Sequence, residues 1–264
     1  MLSVLTLNLG AAARPRAEAL LGWLSKRSED VLLLTETSAG PGTAYLLDQF
    51  RQGGWTVIKA ADEGDRGAAL VSRAKTLAAD PRWLAGVSVP GRVAACLLDS
   101  DPQVFVVSVY VPSRDRSESK TARKQMFIAT LLDALDALPS DLASHTVLGG
   151  DYNVIARDHQ PRHRGFLPFE YGLLERLEAS GYADAYARVH PGEQAHSWIG
   201  RTGDGYRYDY LHTGVAVAGL VSGCRYLHET REGKLTDHAA VTMSLRVVPK
   251  LLATADPSSV GALF

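Results

Sequence analysis

The sequence predicts an α/β fold in which two mixed β-sheets pack face to face with helices outside. Three observations point to it. Short Val- and Leu-rich runs, apolar on both faces, recur along the chain as in sheets covered on both sides. Segments with apolar residues at three- and four-residue spacing alternate with them, as in helices. Five of the apolar runs end in Asn, Glu, Asp or His, which puts polar side chains at one rim of a sheet.

The first expected strand, residues 2–7, ends at Asn8. A helix over 16–26 follows, with Ala19, Leu20, Trp23 and Leu24 on one face. Strand 31–35 runs into Glu36, and further strands are expected at 55–60, 68–72, 93–99 and 104–111, the last carrying Tyr110 just before Pro112. Residues 118–138 read as a helix through Phe127, Leu131, Leu132, Leu135 and Leu138. Strand 146–149 leads through Gly149 and Gly150 to Asp151, Tyr152 and Asn153; two glycines let the backbone turn sharply and approach a ligand closely. Helix 168–180 carries Leu173, Leu174 and Leu177 and stops at Gly181. Strands 206–212 and 239–247 complete the set, with Thr236-Asp237-His238 just before the last. No internal repeat shows in the spacing. From Pro249 to Phe264 the chain is small, apolar and Pro/Ser/Gly-containing, so a catalytic domain over 1–248 and a tail over 249–264 are expected.

The 264 residues are 46% hydrophobic and 22% charged, a globular balance that supports a sizeable core. A net charge of −1 gives no global pull towards nucleic acid, so contact with DNA would need a local basic face. Cys96 and Cys224 sit among small or apolar neighbours and read as buried thiols in a reducing compartment. With no leader-like N-terminus and no membrane-length apolar run, a cytoplasmic protein is expected, and a monomer. Zinc-type Cys/His spacing, a P-loop and a Gly-x-Ser-x-Gly elbow are all missing from the sequence.

The polar strand ends carry the chemistry. Asn, Glu and Asp are hard oxygen donors suited to Mg²⁺ or Mn²⁺. Asn8 and Glu36, at adjacent strand ends, could share one cation, or simply cap their strands. Asp151 and Asn153 place a carboxylate beside an amide, which can orient and deprotonate an in-line water, while Tyr152 points the other way and packs. Asp237 and His238 point apart in an extended segment unless a turn brings both to the rim; alone they read as a surface pair. Tyr110 alone reads as packing, and so does Trp198 before its Gly-rich turn. The run 113–124 holds Arg114, Arg116, Lys120, Arg123 and Lys124, either a solvated face or the missing basic face. Arg162, His163 and Arg164 read as a surface or DNA-facing loop.

The Gly-Asp-Tyr-Asn block at 150–153, the Tyr-Arg-Tyr-Asp-Tyr block at 206–210 and Thr236-Asp237-His238 give the chain a specific likeness. From about Leu2 to about Arg246 it resembles the endonuclease/exonuclease/phosphatase superfamily, most of all the exonuclease III type of apurinic/apyrimidinic (AP) endonuclease. The stretches 165–170 and 181–186 resemble that branch too. The resemblance implies a four-layer α/β sandwich with a rough two-fold pseudo-symmetry. It implies Glu36 as principal metal ligand, with Asn8 and Asp237 in support. Asp151 would activate water, with Asn153 holding it or a phosphate oxygen. Tyr110 and His238 would contact the scissile phosphate, and Asp209 would orient the His238 ring. Trp198 would wall a pocket for a base-less sugar. Arg114 and Lys120, from the basic run, and Arg207 are expected to bind substrate as well. Thr35 stands where the family more often has Gln, and Tyr208 where it usually has Ile. The implied activity is Mg²⁺-dependent cleavage of DNA at abasic sites or from 3′ ends. The alternatives are the same chemistry on RNA, a nucleotide, an inositol phosphate or a phospholipid, and a degenerate binding module.

Overall fold

Two six-stranded mixed sheets form the centre of the computed structural model, which describes residues 1–59 and 64–260. In the first sheet the strands run Val221–Leu227, Ala240–Leu245, Leu2–Asn8, Val31–Thr37, Gly67–Ser72 and Thr56–Lys59. In the second they run Ala183–Asp184, Asp209–Thr213, Thr146–Asp151, Val104–Tyr110, Val93–Leu98 and Thr76–Ala78. Each sheet has one parallel pair at its middle, flanked by antiparallel neighbours. That repeated order is the pseudo-symmetry the resemblance implied.

Period-two alternation sorts the side chains into layers. Leu2, Val4, Val31 and Leu33 of the first sheet meet Val104, Val106, Val147 and Leu211 of the second in the space between them. Leu5, Leu7, Leu32 and Leu34 face outward and are covered by Leu20, Leu21 and Leu24 of helix Arg14–Leu24 and by Leu46, Leu47 and Phe50 of helix Pro41–Gln52. Phe105, Val107, Val109 and Leu148 of the second sheet are covered by helices Glu118–Asp136 and Pro168–Ala179 through Phe127, Leu131, Leu173 and Leu177. The four-layer sandwich follows from this division. Cys96 and Cys224 are free and buried. Among the described residues no helix is long and apolar enough to cross a membrane.

Several boundaries differ from the sequence reading. Helix Pro41–Gln52 was not expected, because its Gly40-Pro41-Gly42 start carries loop residues. Strand Val221–Leu227 alternates exposed and buried positions around an irregularity at Val221/Gly223, so no continuous apolar run marks it. The expected strand 206–212 is two elements. Gly205–Tyr206 pairs with Trp198–Ile199, and Asp209–Thr213 joins the second sheet. The break is stabilised by Ser197 Oγ, which accepts the N–H groups of Tyr208 at 3.0 Å and Asp209 at 3.1 Å. Ala60, at the end of the expected strand 55–60, and residues 261–264 of the tail lie outside the described residues. The tail as far as Ala255 is laced along the domain. Val248–Pro249 pairs with Ser100–Asp101, and the N–H groups of Lys250, Leu252 and Ala255 donate to Asp99, Arg73 and Gly53.

Gly149 and Gly150 govern how closely the sheets approach. A Cβ on Gly149 would lie 2.5 Å from Leu211 Cδ2 and 2.9 Å from Leu33 Cδ1 of the facing sheet. A Cβ on Gly150, whose φ is +145°, would lie 1.9 Å from the Val109 carbonyl oxygen and 3.1 Å from Thr35 Cγ2. Gly150→Ala is therefore expected to lose about 2–4 kcal/mol of stability through backbone strain and a clash with main chain. Urea denaturation checks this; a midpoint equal to wild type would mean that the strands can part without cost.

Candidate active site

The carboxyl ends of the central strands meet at one rim. Asn8 ends the first strand in register with Thr35, one residue before Glu36. Tyr110 ends its strand in register with Asp151, and Asp151 is in turn opposite Asp209. Across the two sheets Asn8 Nδ2 donates to Asp151 Oδ2 at 2.8 Å, while its Oδ1 accepts from Gly10 N–H at 2.7 Å. Tyr110 donates its hydroxyl to Glu36 Oε1 at 2.9 Å. Asn153 donates its backbone N–H to Asp151 Oδ1 at 2.9 Å and its Nδ2 to Asp151 Oδ2 at 3.2 Å. Glu36 and Asn153 have φ values of +51° and +50°, the left-handed region that non-glycine residues occupy at a cost and that concentrates at functional sites.

Asp209 and His238 form the second half of the rim. His238 Nδ1 lies 2.7 Å from Asp209 Oδ2, and both residues are buried. Oδ1 of Asp209 is buried without a hydrogen-bond partner, so its charge is directed to the ring rather than shared among donors. The turn that brings Asp237 and His238 together to the rim is tied by Thr230 Oγ1, which donates to the His238 carbonyl at 2.8 Å and accepts from Ala240 N–H at 3.0 Å. Asp237 stays exposed and accepts from Trp198 Nε1 at 3.0 Å.

Electrostatics gives each group a distinct state. Burial pushes the Asp151 carboxyl up, and the Asp209 charge adds to this, against His238, Asn153 and Asn8 pulling down. Burial alone would lower His238, but the charge and hydrogen bond of Asp209 reverse that, with Asp151 and Asp237 adding. The imidazolium is held up to about 10. Burial and the nearby Asp151 and Glu36 raise Tyr110, so it remains a donor. Asp237 is lowered: burial works against this, but His238 and Trp198 win.

The donor set fits a hard divalent cation. Glu36, Asp151, Asp209 and Asp237 supply four carboxylates, with Arg66 on Glu36 and His238 on Asp209 as cationic partners. Arg66, which the sequence reading missed, reaches Glu36 Oε1 at 2.8 Å, so that oxygen already attracts a cation. Ligand atoms of Asp151, Asp209 and His238 also lie within 4.8 Å of one another. That trio suits proton handling better, because an imidazolium has no lone pair to give a metal. The Asn8 amide is turned to Asp151.

The expected substrate-binding residues divide. Trp198 is half-buried, pairs its backbone with His238, and stands 5.4 Å and 5.8 Å from the rings of Tyr206 and Tyr208. Phe166 and His163 extend that aromatic group, His163 stacking on Tyr206 at 3.8 Å. Lys120 is exposed and pairs with Asp115 at 2.7 Å. Arg114 turns inward to Glu170 at 2.6 Å, and Lys124 is buried on the same carboxylate. Arg123 meets Asp65. Arg207 is enclosed by Asp184 at 2.7 Å and by the Tyr186, Tyr210 and Tyr226 rings. The run 113–124 therefore does not present its five cations as one solvated face. Tyr152 is buried against Tyr210 and His212, as expected of a packing residue.

A four-layer sandwich with these strand ends defines a class of phosphoester-handling proteins. The chain belongs to the endonuclease/exonuclease/phosphatase family, whose model matches residues 5–226. Among solved structures it is similar to an AP endonuclease from Archaeoglobus fulgidus, at 20% identity and TM-score 0.76, over 93% of this chain and 100% of that one. It is similar to a 3′-5′ exonuclease from Neisseria meningitidis, at 23% identity and TM-score 0.76, over 92% and 99% of the chains. A Neisseria 3′ phosphatase bound to a product DNA hairpin also superposes, at 22% identity and TM-score 0.76, over 93% and 99%. No curated protein matches the sequence.

The state of His238 is testable without a substrate. In the metal-free protein its ring should remain protonated at pH 8 by NMR titration, and Asp209→Asn should return it to 6.5 or below. A folded pKa above the unfolded one stabilises the protein fully below about 6.5, and that contribution is lost as pH rises through about 10. The stability difference between wild type and Asp209→Asn should accordingly shrink across that window; a constant difference would remove the assigned ion pair.

Proposed function

We propose that this protein is a divalent-metal-dependent phosphodiesterase of DNA, cutting at abasic sites, removing nucleotides from 3′ ends, or both. The 2.7 Å Asp209–His238 pair set beside Asp151 carries the reading. Water approaching phosphorus in line loses its proton to Asp151, which Asn8 and Asn153 hold in place. His238 donates to a non-bridging oxygen as negative charge grows there, and Asp209 keeps its ring oriented. To contact the same phosphate, the Tyr110 hydroxyl would exchange its Glu36 partner and the Asn153 amide one of its bonds to Val111 and Asp151. Glu36, with Asp237, would hold a Mg²⁺ or Mn²⁺ ion, whose chemistry would be to neutralise charge at the phosphate and the leaving oxygen.

DNA is supported by the aromatic group beside His238 and by the neighbours, which include DNA enzymes by description. One observation favours the same chemistry on a smaller phosphoester. Arg114, Lys124 and Arg207 turn inward and leave fewer cations to track a nucleic-acid backbone.

A panel of abasic duplex, intact duplex, single-stranded DNA, RNA and inositol phosphates, each with Mg²⁺ and with EDTA, tests the reading. Turnover of abasic or 3′-ended DNA with Mg²⁺ and none in EDTA is expected; full activity after verified chelation would remove the metal. Trp198→Ala should reduce abasic-site cleavage roughly ten- to hundred-fold while sparing bis-p-nitrophenyl phosphate, as loss of one stacking contact does. Equal losses on both would make Trp198 structural and shift the substrate away from abasic DNA.

Asp151→Asn keeps shape and loses the base, so kcat should fall by several orders of magnitude with binding nearly unchanged. His238→Ala should cost about 10²–10³ in kcat, the usual worth of one charge-stabilising donor. Single-turnover rates decide both; more than about a tenth of wild-type activity in either variant would refute the role given to it, since the donor effect is far larger.

A further inference from the structure

Behind the Asp151–Asn153 turn lies a charge cluster that the proposed chemistry does not use. Lys124 is 2% exposed and Glu170 1%, and Lys124 Nζ lies 2.6 Å from Glu170 Oε1. The other Glu170 oxygen accepts from Arg114 at 2.6 Å and from Leu167 N–H at 2.7 Å. Arg114 also donates to the Gly165 carbonyl at 2.6 Å. The cluster ties together the loop after Tyr110, the long helix, and the loop after Asn153. Burying an ammonium is expensive unless it is paired, and Glu170 alone would pair it. Lys124 makes one further contact, 2.6 Å to the Asn153 carbonyl oxygen.

That contact falls on a rim residue with a left-handed backbone. Asn153 has φ +50°, a region that Asn enters more readily than most side chains but at some cost relative to the ordinary helical or extended backbone. Its N–H goes to Asp151 and its Nδ2 to Val111 and Asp151, so its carbonyl is the remaining handle on the peptide. Resting on the phosphodiesterase reading, we propose that Lys124 is a positioning residue. Through the Asn153 carbonyl it locks the left-handed turn that aims Asp151 and Asn153 at the reacting phosphate, and Glu170 with Arg114 anchors it. If Lys124 served stability alone, its loss would weaken the fold without touching the geometry of Asn153.

The test compares Lys124→Met, which keeps the stem and loses the charge, with Lys124→Arg, which keeps the charge. Lys124→Met/Glu170→Gln covers failure to fold from a buried carboxylate that has lost one of its two cations. In ¹⁵N–¹H spectra of the folded, metal-free chain, the Asn153 amide should shift and broaden in Lys124→Met and recover in part in Lys124→Arg. On a DNA phosphodiester, kcat should fall about ten- to hundred-fold with KM within about two-fold, as small misplacements of a reacting group do. An unmoved Asn153 resonance in a folded variant, or a lower melting temperature with kcat intact, overturns the proposal. If the wild-type chain cleaves no phosphodiester, the functional reading falls, and the Asn153 resonance still decides the role of Lys124.

Discussion

The site depends on two sheets coming closer at one rim than side chains normally allow. Packed sheets stand about 10 Å apart because both inner faces carry side chains. Here Gly149 and Gly150 carry none, and Leu33 and Thr35 of the facing sheet occupy that space. The approach lets Asn8, from one sheet, hydrogen-bond Asp151, from the other, at 2.8 Å. A side chain at Gly149 would press on Leu33 of the facing sheet, and one at Gly150 would first meet the Val109 carbonyl of the neighbouring strand. The glycines weaken their strand locally, since they cost more chain entropy and pack nothing. The cores on both sides of the sheets, built from Leu5, Leu34, Phe105 and Leu148 among others, carry the stability that the rim gives up.

Closeness creates the second feature, a crowd of acids that cannot all be charged and unpartnered. Asp151 and Asp209 are opposite each other on adjacent strands, and the Asp209 charge helps burial push the Asp151 carboxyl up. His238 relieves the pressure on Asp209 and becomes an imidazolium in doing so. Asp151 receives neutral amide donors and its carboxyl stays raised. One carboxylate thus fixes a cation and its neighbour is ready to take a proton, a separation of roles produced by hydrogen-bond partners rather than by residue type. Glu36 lies on the other side, with the Tyr110 hydroxyl and the Arg66 guanidinium on one oxygen.

Part of the rim was legible because Asn8 and Asp151 end buried strands and Glu36 lies one residue from the end of its own, whereas Tyr110 read as packing without the resemblance and Asp209 opens its strand. Asp237 and His238 were legible only by resemblance, since the turn that presents them is tied by Thr230, which carries no motif. Charge was where the sequence misled. Arg114, Lys124 and Arg207 look solvated in a linear reading. Their partners Glu170 and Asp184 lie tens of residues away, so nothing local shows that the cations turn inward. Arg66 and Ser197 were missed for the same reason. Helix Pro41–Gln52 was hidden by its Gly-Pro-Gly start, and strand Val221–Leu227 by its half-exposed pattern.

The two halves of the fold use one local device for different chemistry. In each sheet a parallel pair delivers its carboxyl ends to the same rim, where ligands of α/β sheets commonly bind. Each pair is followed closely by a left-handed non-glycine residue, Glu36 in one sheet and Asn153 in the other. In the first half the strained residue is itself the carboxylate suited to a cation. In the second it is an amide that holds the neighbouring carboxylate, Asp151. In the proposed reaction, face-to-face packing of the sheets would set the Glu36 carboxylate against Asp151 across one phosphate. The division explains why Tyr110 reaches across from the second sheet to Glu36 of the first, while Asn8 reaches from the first to Asp151 of the second. These two reciprocal hydrogen bonds fix the halves in register, so neither function can drift without moving the other.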